Sequence, residues 1–520
     1  MRYVFGQPGG EVVDLIQALH AHGIEFILTG HESTAAFMAG TTGRLTGVPG
    51  VCLATLGPGA CNLVLGVASA FLDRDPLLAF SARTATSRIR ISNKQNIPLN
   101  DVFTPICKWS VAMDGAASSQ IIRDALEIAC TPPRGPVYLS VPSDLAGVHD
   151  EPDLSGPLPP PPQPQLNEES FNAIVTTLNA ARKPLGVIGI AMNASRDYMA
   201  VRRFFEATAI PYVITSQAKG IGDSNGKYFL GNVLSTAGEF PITRWLQESD
   251  CILGVGFDPV ESSRAWHFEA PVCSIADGPT GFDQYQPQLE CIGNVGVLVD
   301  RLRETYCGSI DWKDAAIADL RREVDDSIRP DVSCTEIGVS PYHLIVQLRS
   351  LLPENAIVTG DVGAHKFVLG QKWTAPRPGT FLISNGLSSM GYGPASAIAA
   401  AMICPDQPVV CITGDGAFAM MVQELETVRR IGAAPLFVVL CDKSLSIIKQ
   451  AQLAKRLPPR GVDFLPVDWA RVAEGFGVRG ESAGTLDEVQ IYVESWLRQR
   501  EPMVLAVALD ETLYKGLRYG

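Results

Sequence analysis

The chain contains no run of lysine or arginine, and 42 basic against 55 acidic residues leave a formal net charge of −13 over 520 residues. A surface that acidic repels phosphate backbones, so nucleic acid is excluded as a partner. The twelve cysteines are scattered singly and no CxxC pair occurs, which removes metal-ligand spacing and a disulfide framework together. They read as small buried residues in a reducing, cytoplasmic compartment. The N-terminal MRYVFGQPGG lacks the apolar stretch of a secretory leader. Two uncharged windows, 45–72 and 378–405, are long enough to imitate membrane spans. Each is interrupted by Gly, Pro, Ser or Asn, unlike a lipid-facing helix, so no membrane partner is expected. With 46% hydrophobic and 19% charged residues the chain is not disordered either.

A chain this long exceeds one core, and about 150 residues per domain predicts three. Residues 1–150 alternate short apolar runs (26–28, 51–54, 76–80, 137–141) with helical stretches. That is the rhythm of a helix-covered parallel sheet. The proline-dense EPDLSGPLPPPPQPQ, within 151–166, predicts an extended spacer. Residues 167–330 repeat the rhythm, with strands at 184–190, 211–215 and 251–255 and a helix over 195–208. Residues 340–520 do so again, with strands at 356–359, 408–413, 435–441 and 503–507. The fold class is α/β, with three consecutive parallel-sheet domains.

The stretch Gly414-Asp415-Gly416 follows the apolar run 409–413 and precedes a helical run at 420–430. The strand at 435–441 then ends on Asp442. In a parallel sheet the strand C-termini lie side by side and form the ligand edge. Two carboxylates there, with glycines permitting close backbone approach, suit an oxygen-ligated Mg²⁺ holding a diphosphate. The following helix start would add backbone N–H groups. A lone GDG is more readily a turn; its strand–GDG–helix–strand–Asp setting favours the clamp.

Other glycine-rich motifs are FGQPGG (5–10), GHESTAAFMAG (30–40), TGVPGVCLATLGPGACN (46–62), FLDRDPLL (71–78), DVGAH (361–365) and NGLSSMGYG (385–393). In this order, over nearly the whole chain, they resemble the thiamine diphosphate (ThDP) enzyme superfamily. The similarity is greatest to its acetolactate synthase-like branch and to carboxyethylarginine synthase, and weakest in the middle domain. The resemblance implies pyrimidine-binding, central Rossmann-like and diphosphate-binding domains, in that order.

The resemblance makes Glu32 the carboxylic group that controls the proton on the coenzyme's pyrimidine, and Gln95 a residue facing substrate. Pro58 and Asn62 would line the pyrimidine side, Gly10 would place a main-chain group near the reacting carbon, Met390 would brace the bent coenzyme, and the carbonyl of Ser388 would accept from its amino group. Val362, Gly363, Ala364 and His365, with Gly416 and Ala417, would touch the diphosphate, and Ile447 would wall the pocket. Asp415, Asp442 and the main-chain oxygen of Ser444 would hold Mg²⁺. Asp442 stands where the family usually has Asn, an extra carboxylate on the metal. The stretch VGFDPVESS (255–263) resembles FAD-free members, which leaves FAD doubtful.

The activity implied is decarboxylation of a pyruvate-like 2-oxo acid with ligation to a second carbonyl, in a homodimer or homotetramer whose subunits share each active site. A non-ligating decarboxylase, a 2-hydroxyacyl-CoA lyase and a catalytically silent ThDP-fold protein stay open. A nucleotide-dependent oxidoreductase is disfavoured because VIGIAMNAS lacks the later glycines of GxGxxG.

Overall fold

A computed structural model describes residues 2–115, 117–148, 167–233, 236–262, 266–282 and 285–517. The proline-rich segment 151–166 lies outside the described residues. The chain divides into two compact units, one of residues 1–162, 386–405 and 421–433, the other of the remainder.

Three parallel six-stranded sheets carry the architecture, as the apolar rhythm predicts. The first joins β1 (Tyr3–Gly6), β2 (Glu25–Leu28), β3 (Gly50–Ala54), β4 (Leu77–Arg83), β5 (Trp109–Ala112) and β6 (Pro136–Pro142) in the order β2-β1-β3-β4-β6-β5. The second joins β7 (Pro184–Ile188), β8 (Tyr212–Ile214), β9 (Phe229–Asn232), β10 (Cys251–Val255), β11 (Val272–Ala276) and β12 (Leu289–Ile292) as β12-β11-β10-β7-β8-β9. The third joins β13 (Ile357–Gly360), β14 (Phe381–Ile383), β15 (Val409–Gly414), β16 (Leu436–Cys441), β17 (Arg479–Ala483) and β18 (Met503–Ala508) as β14-β13-β15-β16-β18-β17. Strands with helices on both faces must be apolar on both. All five residues of β10 are buried, as are the first five of β15 and of β16.

In the first unit the helix Glu32–Thr46 is the organising element. His31 caps its start by accepting from Ser33 N, and Gly47 ends it in the left-handed region at φ 72°. Small side chains let two other helices lie close against it. A Cβ on Gly66, in the helix Pro58–Leu72, would stand 2.5 Å from the Ala36 Cβ. The helix Tyr392–Ile403 packs on another side through an edge-to-face Phe37–Tyr392 pair and the Thr41–Ser396 hydrogen bond of 2.8 Å. The two membrane-length windows resolve into two strands, β3 and β14, and two buried-faced helices of 15 and 12 residues. No helix among the described residues is long and apolar enough to cross a membrane.

The helical run expected over 420–430 is two helices, Asp415–Met421 and Glu424–Ile431. Met421 closes the first by packing on Gly391, whose absent Cβ would lie 2.7 Å from the Met421 Cε.

Candidate active site

In the first unit Glu32 is the first residue of its helix and is 6% exposed. Its Oε2 accepts from the Asn62 Nδ2 at 2.9 Å. Pro58, exposed at the first turn of the helix Pro58–Leu72, brings that helix start over Glu32. A Cβ on Gly59 would lie 3.2 Å from Glu32 Oε1, so glycine there leaves room beside the free carboxylate oxygen. Gly10 is exposed, begins a short 3₁₀ turn, and has open space where a side chain would be. Gln95 is held at φ 57°, and a Cβ on Gly57 would stand 3.0 Å from its own Cβ. Glu32, Asn62, Pro58 and Gln95 are thus gathered by Gly57 and the first turns of the helix Pro58–Leu72. Ser388 at φ 55° and Gly391 at φ 89° bracket the half-buried Met390. The Met421 against Gly391 also accepts from the Thr34 Oγ1 at 3.0 Å, linking the Met390 turn to the Glu32 helix.

In the second unit β15 and β16 run side by side, with Gly414 paired to Leu440. Asp415 and Asp442 therefore follow neighbouring strand ends, as predicted. Asp415 is 6% exposed, with Oδ1 accepting from Gly416 N at 2.8 Å and Oδ2 from Lys443 N at 2.9 Å. Burial raises its pKa, opposed by those amides. Burial likewise pushes Asp442 up to about 7, against the Ser446 hydroxyl bond of 2.6 Å and with Asp415 and Glu511 nearby. Lys443 between them sits at φ 60°, the left-handed region, which swings Ser444 N onto Asp442 Oδ1 at 3.2 Å. Gly416 and Ala417 lie in the first turn of Asp415–Met421, and Ile447 is half-buried in the first turn of Ser446–Ala454.

Val362 donates its N–H to Asp361 Oδ1 at 2.7 Å, and Gly363 caps the helix Ala364–Lys372. Ala364 and His365 are not loop residues but lie in that helix's first turn. His365 is 3% exposed; burial pulls the imidazole down to about 4, and its Nε2 has no partner among the described residues. A Cβ on Gly363 would meet the His365 ring at 2.8 Å. Amide groups of a helix start, a neutral imidazole nitrogen, the buried Asp415 and the half-buried Asp442 form a donor set suited to a phosphate bridged by a hard cation. No group of three or more His, Cys, Asp or Glu side chains close enough to hold a metal occurs among the described residues. Two carboxylates would need main-chain and phosphate oxygens to complete the coordination.

Three charged residues escaped the sequence reading. Glu424, 1% exposed, takes Gly30 N at 2.9 Å and the Thr427 hydroxyl at 2.8 Å, and its Oε1 has no partner among the described residues. It thereby fixes the loop leading into Glu32. Glu261, also 1% exposed, accepts from Ile190 N at 3.1 Å and from Thr215 Oγ1. Burial, with Asp258 adding, pushes it up to about 8. It lies at the C-terminal ends of β7 and β10, where the second sheet's strand order reverses. Arg83 ends β4 on the wall of a cavity of about 410 Å³. The only signal for the first two is a carboxylate beside apolar neighbours.

Three family models match the chain: "Thiamine pyrophosphate enzyme, N-terminal TPP binding domain" over residues 1–102, "central domain" over 171–302, and "C-terminal TPP binding domain" over 361–507. Among curated proteins, the acetolactate synthase isozyme 2 large subunit of Escherichia coli (strain K12) is 32% identical, covering 98% of this chain and 93% of its own. Acetolactate synthase of Bacillus subtilis (strain 168) is 27% identical over 98% and 90%. The catabolic acetolactate synthase of Raoultella terrigena is 26% identical over 98% and 92%. A full-length match at that identity, on three sheets with the expected residues at their strand ends, leaves one conclusion: the chain belongs to the thiamine pyrophosphate (thiamine diphosphate) enzyme family, in its acetolactate synthase-like branch.

Proposed function

We propose that the protein, with ThDP and Mg²⁺, decarboxylates a pyruvate-like 2-oxo acid and joins the remaining acyl unit to a second carbonyl compound. The observation that carries this reading is the Glu32 carboxylate, buried at a helix start, pinned by Asn62 on one oxygen and left clear by Gly59 on the other. The full-length similarity to acetolactate synthases supports ligation over simple decarboxylation.

When bound, ThDP supplies a nucleophilic carbon and a sink for the electron pair released with CO₂. Glu32 holds and returns the proton at a pyrimidine ring nitrogen, and Asn62 keeps its carboxylate in place for that transfer. Pro58 would line the pyrimidine side, Met390 would brace the bent coenzyme, the Ser388 carbonyl would accept from its amino group, and Gly10 would place a main-chain group near the reacting carbon. Asp415, Asp442 and the Ser444 carbonyl hold Mg²⁺. Val362–His365, Gly416 and Ala417 receive the diphosphate, and Ile447 gives an apolar wall. Gln95 faces substrate.

Flavin is not required in this reading. The Glu261 carboxylate lies over Gly189 at the reversal point of the second sheet, where a dinucleotide would enter. Homodimer or homotetramer formation rests on the family resemblance. A cytoplasmic location agrees with twelve free cysteines, three of them exposed.

The test is incubation with ThDP, Mg²⁺ and pyruvate, reading CO₂ and products by mass spectrometry beside Glu32→Gln. Acetolactate from the wild type and a loss of at least about 100-fold in the variant are expected. Acetaldehyde without any ligated product identifies a decarboxylase instead. CO₂ release equal in both proteins refutes the reading.

A further inference from the structure

We infer that Asp73 is a positioning residue for the coenzyme: its carboxylate tethers the turn 386–391, and with it the Ser388 carbonyl and Met390, to the helix that carries Glu32. The inference rests on the function proposed above and goes beyond it.

All the residues concerned lie in the first unit. The helix Pro58–Leu72 ends on Asp73, and Arg74 at φ 60° turns the chain so that Asp73 and Asp75, 2% and 3% exposed, both face inward. Asp73 Oδ1 accepts from Gly386 N at 2.7 Å, a contact across 313 residues, and Oδ2 accepts from Ser69 Oγ at 3.2 Å. The carboxylate is thus oriented by its own helix and offers its other oxygen to the turn. A carboxylate accepting from an amide makes one of the stronger hydrogen bonds. The approach is this close because residue 386 is glycine. A Cβ there would stand 2.6 Å from the Leu72 Cβ and 2.7 Å from the Leu72 carbonyl oxygen.

Arg44 completes the joint. It stands in the last turn of the helix Glu32–Thr46, where its Nε donates to Asp75 Oδ1 at 2.6 Å and its Nη2 to the Asp73 carbonyl at 3.0 Å. The guanidinium so caps the end of one helix from the side of another. A Cβ on Gly40 would lie 3.4 Å from Asp75 Oδ2, which seats the 73–75 turn against the Glu32 helix itself. Three pieces meet here: the helix of Glu32, the helix of Asn62, and the turn of Ser388 and Met390.

The place of the joint decides how it acts. Arg44 lies twelve residues beyond Glu32, about 18 Å along the helix axis, so it reaches the carboxylate only through rigid elements. The turn 386–391 is held at both ends. Asp73 holds Gly386, and at the other end Met421 packs on Gly391 and accepts from Thr34 Oγ1, in the first turn of the Glu32 helix, at 3.0 Å. Between these anchors Ser388 is exposed at φ 55°, a left-handed conformation that a non-glycine residue keeps only where its surroundings impose it. Cutting one anchor lets Ser388 relax to ordinary backbone angles and swings its carbonyl away from the coenzyme's amino group. A displacement under about 1 Å takes a hydrogen bond of about 2.9 Å out of range. A buried cluster that served the fold alone would lower stability without favouring one group of the coenzyme over another.

The experiment is isothermal titration calorimetry with Mg²⁺ present, comparing ThDP with an analogue whose pyrimidine ring lacks the amino group. Wild type, Asp73→Ala, Asp73→Asn and Asp75→Asn are titrated, and the ratio of the two dissociation constants is read for each. Wild type should prefer ThDP about tenfold, the worth of one hydrogen bond. Asp73→Ala should bring the preference below about threefold. Asp73→Asn should keep it, because its amide oxygen still accepts from Gly386 N while its NH₂ donates to Ser69 Oγ. Asp75→Asn weakens the Arg44 pair and leaves the Gly386 contact in place, so it should lower the melting midpoint and keep the preference. If Asp73→Ala does not fold, Gly386→Ala replaces it, since its methyl group meets Leu72 and pushes the turn away. A preference retained in Asp73→Ala, or lost equally in Asp73→Asn or Asp75→Asn, overturns the tether. Equal affinity of wild type for both compounds also overturns it and leaves ThDP binding standing. No binding of ThDP by wild type overturns the parent reading, and the tether with it.

Discussion

Glu261 makes stability of the second unit depend on pH in a direction opposite to most carboxylates. Burial raises its folded pKa from 4.5 to about 8. Between those values the folded protein keeps the proton and the unfolded chain releases it, so unfolding is favoured as pH rises. Its contribution is whole below about pH 4.5, declines as pH climbs toward 8, and is flat beyond. Each unit within that window costs up to about 1.4 kcal/mol, and relaxation of the buried site reduces the total to about 2–4 kcal/mol. Glu261→Gln removes the titration. Its amide oxygen can still accept from Ile190 N while its NH₂ donates to Thr215 Oγ1. The difference in melting midpoint between variant and wild type is the quantity to measure, by near-UV circular dichroism at pH 5 and pH 8.5. At roughly 2 °C per kcal/mol for a unit of this size, the variant should gain at least about 3 °C more at the higher pH. The same difference at both pH values would show that Glu261 is ionised throughout, and the buried-proton argument would fall. Added FAD should produce no bound-flavin absorbance in the wild type.

Other consequences are sharper for the site than for the fold. Asn62→Ala removes a hydrogen bond to the Glu32 carboxylate, worth about 1.5–3 kcal/mol, and kcat/KM for pyruvate should drop about 10- to 100-fold with CO₂ as the readout. Asp442→Asn removes one negative charge from the proposed Mg²⁺ site, so the half-activating Mg²⁺ concentration should shift about tenfold; an unchanged value argues against ligation. Glu424→Ala orphans Gly30 N, and a loss of about 1–3 kcal/mol, with weaker ThDP binding by calorimetry, is expected. Gly66→Val drives a side chain into Ala36 Cβ at 2.5 Å and Ser33 O at 2.9 Å, and should lower the melting midpoint of the purified protein or abolish soluble expression.

The sequence announces an element when the element's reason is local. The runs at β10 and β16 are apolar throughout because both faces are covered, and their predicted limits, 251–255 and 435–441, agree with the structure within a residue. Edge strands lack that reason. β17, Arg479-Gly480-Glu481-Ser482-Ala483, is mostly half-exposed and is a strand because β18 lies beside it. β5, at the opposite kind of edge, has only β6 as a neighbour and four half-buried residues. β14 is three residues long and too short for any periodicity to register. The break between Met421 and Glu424 is invisible for the same cause, since Met421 is positioned by Gly391 and Thr34.

The site divides along the same line. Asp415 and Asp442 could be read because a strand, a carboxylate and a glycine stand next to one another in the chain, and β15–β16 pairing then brings the two ends together. Glu32 and Asn62 are legible as motif members, but the bond between them spans 30 residues and only the fold displays it. Glu424 falls without distinction in the helical run expected over 420–430, whereas its carboxylate grips an amide 394 residues away. Buried charge is therefore the information this sequence withholds, because burial is decided by residues from distant parts of the chain.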